Sequence, residues 1–397
     1  MFLYRVLFTK PMKGIAITAI GTEECASLEL EEYGAKHIHQ KKGAVIFDVK
    51  DLDELAVLAY KCQSADRILI HLADFELGKK DIETVFNKNI EKISIDKTLL
   101  QDGMNFRATA LRRGSHDFSS NEMEIVLGNA ISPFIKKKYN IEMNVNLTSP
   151  DIIFYLSIAD NEAVLGIDIM GFEANKRDYK IFLTPTSIRG TIAFCLLKFA
   201  GYTGKQKLLD PFINDGAIII EAAMYASKKP VHFYNKEKFS LLKLPPFKDK
   251  DLAKFFEKID KKTKTDKVAV TGFDAAFQYV DYGKKNAKIA GVEKIIYLSR
   301  VESEWLDIKF DKGTVDIIAT KIPEPSRKLI QKDVEKLHHE LFYQAEYILK
   351  KNGKVAIICR DLEALKKHFE KFKFAVEKQQ SIFTGEQKLV MAVLSKT

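Results

Sequence analysis

Residues 208–222, LLDPFINDGAIIIEA, decide how this chain is read. Residues 207–209, with apolar Leu208-Leu209, read as a short strand that stops at Asp210. A tight loop follows, and residues 218–226 read as a helix. A strand, a loop and a helix start in that order leave backbone N–H groups aimed into the crevice beyond the strand. That is a standing site for a nucleotide-like ligand. The loop keeps one glycine, Gly216, where such loops usually carry two or more.

Outward from this stretch the C-terminal half alternates strands and helices. A helix over 191–200 precedes it. Strands are expected at 268–273, 295–299, 315–319 and 354–359, with a helix over 276–290. Residues 382–383 and 389–394 close as a hairpin. Repeated β-α units ending in a hairpin predict a doubly wound sheet with a late antiparallel strand. Residues 228–266, lysine-rich and containing Pro245-Pro246, interrupt the pattern as an insertion. Within it, 258–267 reads as a solvated loop.

The N-terminal half holds two further patterns. Strand, helix, two strands around Lys41-Lys42-Gly43, helix and strand occupy residues 12–75, the ferredoxin-like order. A helical stretch at 81–95, a strand at 105–111 and a helix at 120–138 follow, with Ser119 or Ser120 as N-cap. A hairpin around Asp160-Asn161 ends this second α/β region near Gly171. Residues 172–183 are polar and basic and read as a linker.

At 397 residues the chain is long enough for two or three domains, and 46% hydrophobic residues supply their cores. The charge of +9 suits a polyanionic partner such as RNA. Cys25, Cys62, Cys195 and Cys359 include no C-x-x-C pair, which argues against zinc and a disulfide framework. Residues 1–12 carry no signal pattern, and no apolar run nears the roughly 18 residues of a membrane span. The expectation is a cytoplasmic protein without metal or membrane.

Four positions of the C-terminal half suit an S-adenosylmethionine site. The loop from Asp210, through Phe212, Asn214 and Gly216, is the first. Asp274, followed by Ala275, stands at the tip of the next strand, where an acid can accept ribose hydroxyl hydrogens. Glu304 follows the third strand and would meet the adenine amino group. Residues 316–327, DIIATKIPEPSR, end the fourth strand beside any transferred methyl group.

These residues resemble the methyltransferase domain of the THUMP-containing guanine-N2 methyltransferases that act on tRNA and rRNA. The family's D-P-F-C-G-S-G-T and I-x-I-E-A match Asp210 to Ala217 and Ile220-Glu221-Ala222. Its second acid and N-A-x-x-A-G-V match Asp274 and Asn286 to Val292. Asn105-Phe106-Arg107 through Arg112-Arg113-Gly114-Ser115-His116 and Phe118 resemble a THUMP core. Asp168, Gly171 and Lys176-Arg177-Asp178-Tyr179 resemble the family's linker, so nearly the whole chain is covered.

The resemblance implies an α/β architecture. It comprises a ferredoxin-like N-terminal domain (1–75), a THUMP domain (76–171), a linker (172–183) and a Rossmann-like methyltransferase domain (184–397). It further implies S-adenosylmethionine as cofactor and a guanine exocyclic amine in RNA as acceptor, with tRNA bound by its acceptor stem and 3′ end. RNA contact would fall to Arg107, Arg112, Arg113, His116, Phe118, Lys176 and Arg177, with Lys180 and 136–138 extending the track. Arginine forks suit phosphates, and a ring such as Phe118 stacks on an unpaired base.

Two loops depart from the family pattern. Asn214 and Asp215 replace glycine and serine. Asparagine tolerates a left-handed backbone, whereas Asp215 must turn outward or meet the ligand's ammonium or sulfonium to avoid opposing the methionine carboxylate. The catalytic N-P-P-Y aligns with Lys321-Ile322-Pro323-Glu324. Lysine has donors only, while the Glu324 carboxylate can accept amino hydrogens in place of asparagine. Lys321, Pro323 and Glu324 are the catalytic candidates. Two readings stay open: an RNA methyltransferase, and an RNA-binding scaffold whose catalytic domain has decayed.

Overall fold

Gly43, at φ 72°, closes the turn between β2 (Lys36–Lys41) and β3 (Ala44–Val49). β3 is buried along nearly its whole length because apolar Ala44, Val45, Ile46 and Phe47 serve both of its faces. It pairs antiparallel with β1 (Met12–Ile17), setting Ile46 opposite Ile15, and Ile15 in turn faces Leu69 of β4 (Arg67–Glu76). The structure is a computed structural model describing residues 11–77, 82–327 and 329–397. The expectation for the N-terminal ten residues, that they carry no signal pattern, lies outside that range. The described residues fall into two units.

The first unit holds the residues through Thr18, Ala26–Glu173 and His232–Lys261. Its strand order β2-β3-β1-β4, with a helix at Leu52–Lys61, is the expected ferredoxin-like arrangement. The expected division at residue 75 is no break in the sheet. β4 pairs with β1 through its first residues and with β8 (Glu162–Asp168) along 69–76. The sheet then runs on through β7 (Ile152–Ala159), β5 (Asn105–Arg113) and β6 (Asn144–Val145), eight strands in all. Pairing on both sides leaves β4 without an open edge.

The helix Ser120–Tyr139 starts on a reciprocal cap. The Glu122 N–H donates to Ser119 Oγ at 3.2 Å and the Ser119 N–H to Glu122 Oε2 at 2.6 Å. The sequence also misplaced part of the insertion. Residues 258–260, expected in a loop, form the end of the helix Leu252–Asp260. Phe256 there packs on Tyr60 with ring centroids 4.7 Å apart, and the Tyr60 hydroxyl donates to Asp260 at 2.7 Å.

The second unit holds Ala19–Cys25, Ala174–Val231 and Lys262–Thr397. Its seven-stranded sheet has the order β11-β10-β9-β12-β13-β15-β14. The strands are β9 (Leu208–Asp210), β10 (Val270–Asp274), β11 (Tyr297–Arg300), β12 (Val315–Lys321), β13 (Leu349–Cys359), β14 (Phe374–Thr384) and β15 (Gln387–Lys396). All pairs are parallel from β11 to β13, and β15 enters antiparallel between β13 and β14. The chain builds outward from β9 to β11, then returns to lay β12 on the other side of β9. That reversal opens a crevice beyond the carboxyl ends of β9 and β12. It brings Asp210 and Lys321, the last residues of those strands, to one place.

Helices cover the sheet. Gly190–Phe199 is buried at every residue, and Ala217–Ala226 at all but its last turn, as helices apolar all round should be. No helix among the described residues is long and apolar enough to cross a membrane.

Candidate active site

Asn214 and Gly216 sit in the left-handed region, at φ 53° and 85°. The Asn214 amide closes its own turn, with Nδ2 donating to the Phe212 carbonyl at 2.8 Å. Gly216 is required twice over. Besides its φ, a Cβ there would lie 3.1 Å from Cα of Gly283 on the helix Phe277–Ala290.

Five of the loop's N–H groups are taken within the protein, where the sequence led us to expect them open to a ligand. Phe212 N–H donates to Asp210 Oδ1 (3.1 Å), Ile213 to the Phe273 carbonyl (3.0 Å) and Asn214 to Asp274 Oδ2 (3.2 Å). Gly216 donates to the Ile213 carbonyl (2.7 Å) and Ala217 to Asp215 Oδ1 (3.3 Å). Short acidic side chains at 210, 215 and 274 have taken three donors that a phosphate or carboxylate could otherwise meet.

Asp215 turns neither outward nor toward a ligand. Its carboxylate is buried, 2.6 Å from Lys180 Nζ, and accepts from the Ser187 hydroxyl as well. Its carbonyl accepts from Nδ2 of fully buried Asn286 at 2.9 Å, and the same amide holds the Phe182 carbonyl at 2.9 Å. Lys180 is thereby removed from the expected RNA track. The sequence did not show this pair, since nothing local to Lys180 signals a carboxylate.

Lys321 reaches into the same place. Its Nζ donates to the Thr186 carbonyl at 3.0 Å, while the Thr186 hydroxyl bonds the Asn214 side chain. Burial draws the Lys321 ammonium below its usual pKa, against the pull of nearby Glu324 and Asp215 carboxylates. Between Lys321, Thr186, Ile188, Asp210 and the loop, a cavity of only about 10 Å³ remains. That is room for about one water. The methionine end of S-adenosylmethionine fits poorly while Lys321 holds this arrangement.

The ribose end is different. Asp274 ends β10, and burial raises its carboxyl to about 6 even though the Ala276 and Asn214 N–H groups stabilise the anion. Asp210 is raised to about 7, first by burial and further by the Asp274 and Asp215 charges. Two acids at adjoining strand tips suit hydroxyl recognition. Phe212 is half-buried against the core, and Ala275 is exposed, its carbonyl accepting from Arg300 Nε at 2.9 Å. Glu304 is engaged at the surface, 2.6 Å from Lys336 Nζ.

The expected catalytic residues part company at the end of β12. Lys321 lines the loop cavity, whereas Ile322, Pro323 and Glu324 line a second cavity of about 430 Å³. The helices Gln331–Ile348 and Glu363–Lys371 bound this cavity on its far side. Glu324 accepts from the Arg360 N–H at 2.9 Å and faces Arg360 Nε at 3.0 Å. His338, which the sequence did not single out, has Nε2 2.7 Å from the Pro323 carbonyl. A carbonyl only accepts, so Nε2 carries the hydrogen, and burial keeps the ring neutral by lowering its pKa.

The linker is a structural part of this unit. Arg177, expected on the RNA track, is buried against Glu221, with Nε 2.8 Å from Oε1 and Nη2 3.1 Å from Oε2. The Tyr179 hydroxyl donates to the same carboxylate at 2.7 Å. Glu221 sits in an otherwise apolar helix, and a lone buried carboxylate needs such partners. Lys176 is exposed.

In the first unit, Arg113 is a tie between strands, not an open RNA contact. Its Nη1 donates to the Thr18 carbonyl at 2.6 Å, and Asp66 lies 3.7 Å from Nη2. Lys138 likewise donates to the Ile93 carbonyl at 2.6 Å, and Lys136 pairs with Glu142 at 2.7 Å. Arg112 Nη1 bonds the Gly114 carbonyl at 3.1 Å, and Arg107 Nη1 reaches the Leu147 carbonyl at 3.4 Å. The His116 and Phe118 rings pack 4.8 Å apart. Among the described residues, no His, Cys, Asp and Glu side chains cluster so as to hold a metal.

A sheet of this order, with a glycine-bearing loop after β9 and an acid at the tip of β10, defines the Rossmann-like methyltransferase class. The chain belongs to the RMKL-like methyltransferase domain family, whose model matches residues 177–390, and a THUMP domain model matches residues 80–168. It is 27% identical over 369 residues to a tRNA (guanine(6)-N2)-methyltransferase of Methanocaldococcus jannaschii, covering 92% of this chain and 95% of that one. It is 26% identical to the Archaeoglobus fulgidus protein of the same name, covering 86% and 81%. A crystal structure of a possible methylase from Clostridium difficile 630 superposes with TM-score 0.79 at 22% identity, covering 98% and 99%, and shares the fold.

Proposed function

We propose that this protein is an S-adenosylmethionine-dependent methyltransferase acting on a guanine exocyclic amine in RNA, with tRNA as the substrate and the cytoplasm as its compartment. The observation that carries this reading is the pair Asp210 and Asp274. Two buried acids stand at the tips of adjoining parallel strands, flanking a loop turned by Asn214 and Gly216. When bound, the cofactor supplies an electrophilic methyl group. Asp274 and its neighbour Ala275 would hold its ribose, with Glu304 and Phe212 toward the adenine.

The acceptor base belongs at the 430 Å³ cavity, where Pro323 and Glu324 face it. The Glu324 carboxylate, kept in place by Arg360, accepts amino hydrogens and leaves the nitrogen lone pair aimed away from it. His338 holds the Pro323 carbonyl through one lone pair and leaves the other for the base. Catalysis by such a site is mainly positioning. The THUMP region would grip the RNA, with Arg107, Arg112, His116 and Phe118 as its contacts and Lys176 as an outlying one.

A second reading, an RNA-binding scaffold with a structural loop in place of a cofactor site, is favoured by the 10 Å³ cavity around Lys321. One experiment separates the two. The purified protein is titrated by calorimetry with S-adenosylmethionine and with a tRNA transcript, and the transcript is analysed for N2-methylguanosine after incubation with both. Cofactor binding with N2-methylguanosine formed supports the enzyme. RNA binding alone supports the scaffold.

A further inference from the structure

Residues 184–189 form neither helix nor strand, and Thr186 and Ile188 among them line the loop cavity. They are fastened from two sides. From the linker, Lys180 Nζ donates to the Ser187 hydroxyl at 2.8 Å and the Ile188 carbonyl at 2.7 Å. From the tip of β12, Lys321 Nζ donates to the Thr186 carbonyl at 3.0 Å. Underneath, the Thr186 and Ser187 hydroxyls bond the Asn214 and Asp215 side chains.

The two fastenings differ in kind. Lys180 has a buried carboxylate beside it at 2.6 Å, so it is at home where it is. Lys321 donates to one neutral carbonyl, and burial outweighs the pull of the Glu324 and Asp215 carboxylates on its charge. Lys321 is therefore the side that can let go. Lys321 also lines the cavity, so withdrawing it removes both a tie on residue 186 and one wall of the cavity.

We propose that residues 184–189 are a strap latched over the methyl-donor cleft by Lys321, and that the cleft admits a cofactor only when the Lys321–Thr186 bond opens. The proposal rests on the methyltransferase reading. It turns the poor fit of the methionine end into a closed state in equilibrium with an open one. A latch closed nine-tenths of the time weakens apparent affinity about tenfold, and removing it returns that factor.

The test uses the full chain and three proteins: the natural one, Lys321→Met and Lys321→Asn. Methionine keeps most of the bulk and deletes the donors; asparagine also shortens the side chain. Calorimetry with S-adenosylhomocysteine is paired with amide hydrogen exchange across residues 184–189. Both variants are expected to bind about tenfold more tightly, or better, with faster exchange in the strap. Equal affinity and equal exchange in all three would overturn the latch while leaving the methyltransferase reading intact. No binding by any of the three removes the methyltransferase reading and the latch with it.

Discussion

Lys180 Nζ lies 2.6 Å from Asp215 Oδ2, with the two side chains 10% and 2% exposed. A residue of the linker thus neutralises the one charge that departs from the family's glycine loop. Removing the cation alone strands the carboxylate. Lys180→Met is expected to lower unfolding free energy by about 3–5 kcal/mol, read by urea denaturation at pH 7.5. The double variant Lys180→Met/Asp215→Asn should recover part of that loss. A single-variant loss below about 1 kcal/mol would mean that the pair behaves as a surface ion pair.

Arg177 offers a sharper division between structure and RNA contact. Its guanidinium makes a two-point contact with the buried Glu221 carboxylate. Arg177→Ala should cost about 3–5 kcal/mol of stability, and Arg177→Lys should rescue it incompletely because an ammonium cannot form the fork. RNA affinity of the folded variant and its salt dependence should stay as they were. Arg107→Ala is the converse case: little stability is lost, and the slope of log affinity against log salt falls by about 1.

The acids at the strand tips set a pH dependence. Asp210 and Asp274 have carboxyls raised to about 7 and about 6 from an ordinary 3.8. The folded protein therefore holds protons that the unfolded chain releases. Their contribution to stability is complete below about pH 3.8 and is lost as pH rises through 6 and 7. Thermal unfolding between pH 4 and 7 should show these groups lowering stability as pH rises, by up to about 1.4 kcal/mol per unit for each, and levelling above about 7. Asp210→Asn should flatten the profile. If the wild-type and Asp210→Asn profiles have the same slope across this window, the assignment fails.

Much of this was legible in residue order. The strand, loop and helix at 208–226 could be read because apolar runs, a left-handed-tolerant asparagine and a glycine are local signals. Asp274 followed from its place at a strand end. What could not be read is which distant groups neutralise one another. Lys180 and Asp215, or His338 and Pro323, meet only through the tertiary fold. Arg177 looked like an RNA contact because basic linkers often are. The one available warning was Glu221, a solitary acid in the run IIIEAA that had to find a buried partner. The insertion misled for a similar reason: its lysines signalled solvent, while Phe256 between them was packing on Tyr60.

The loop backbone gives the last test. Gly216 stands at φ 85° with Gly283 of a neighbouring helix 3.1 Å from where a Cβ would be. Gly216→Ala meets left-handed strain of about 1–2 kcal/mol, and the contact adds to it because backbone cannot swing aside. Asn214, at φ 53°, meets no such wall and is there for its conformation and its amide bonds. Asn214→Gly should change stability by well under 1 kcal/mol, since glycine adopts that φ freely and offsets the lost side-chain bond. Urea denaturation of the two variants checks the contrast. If Asn214→Gly proves as costly as Gly216→Ala, the Thr186–Asn214 bond holds the loop together more strongly than its turn geometry does.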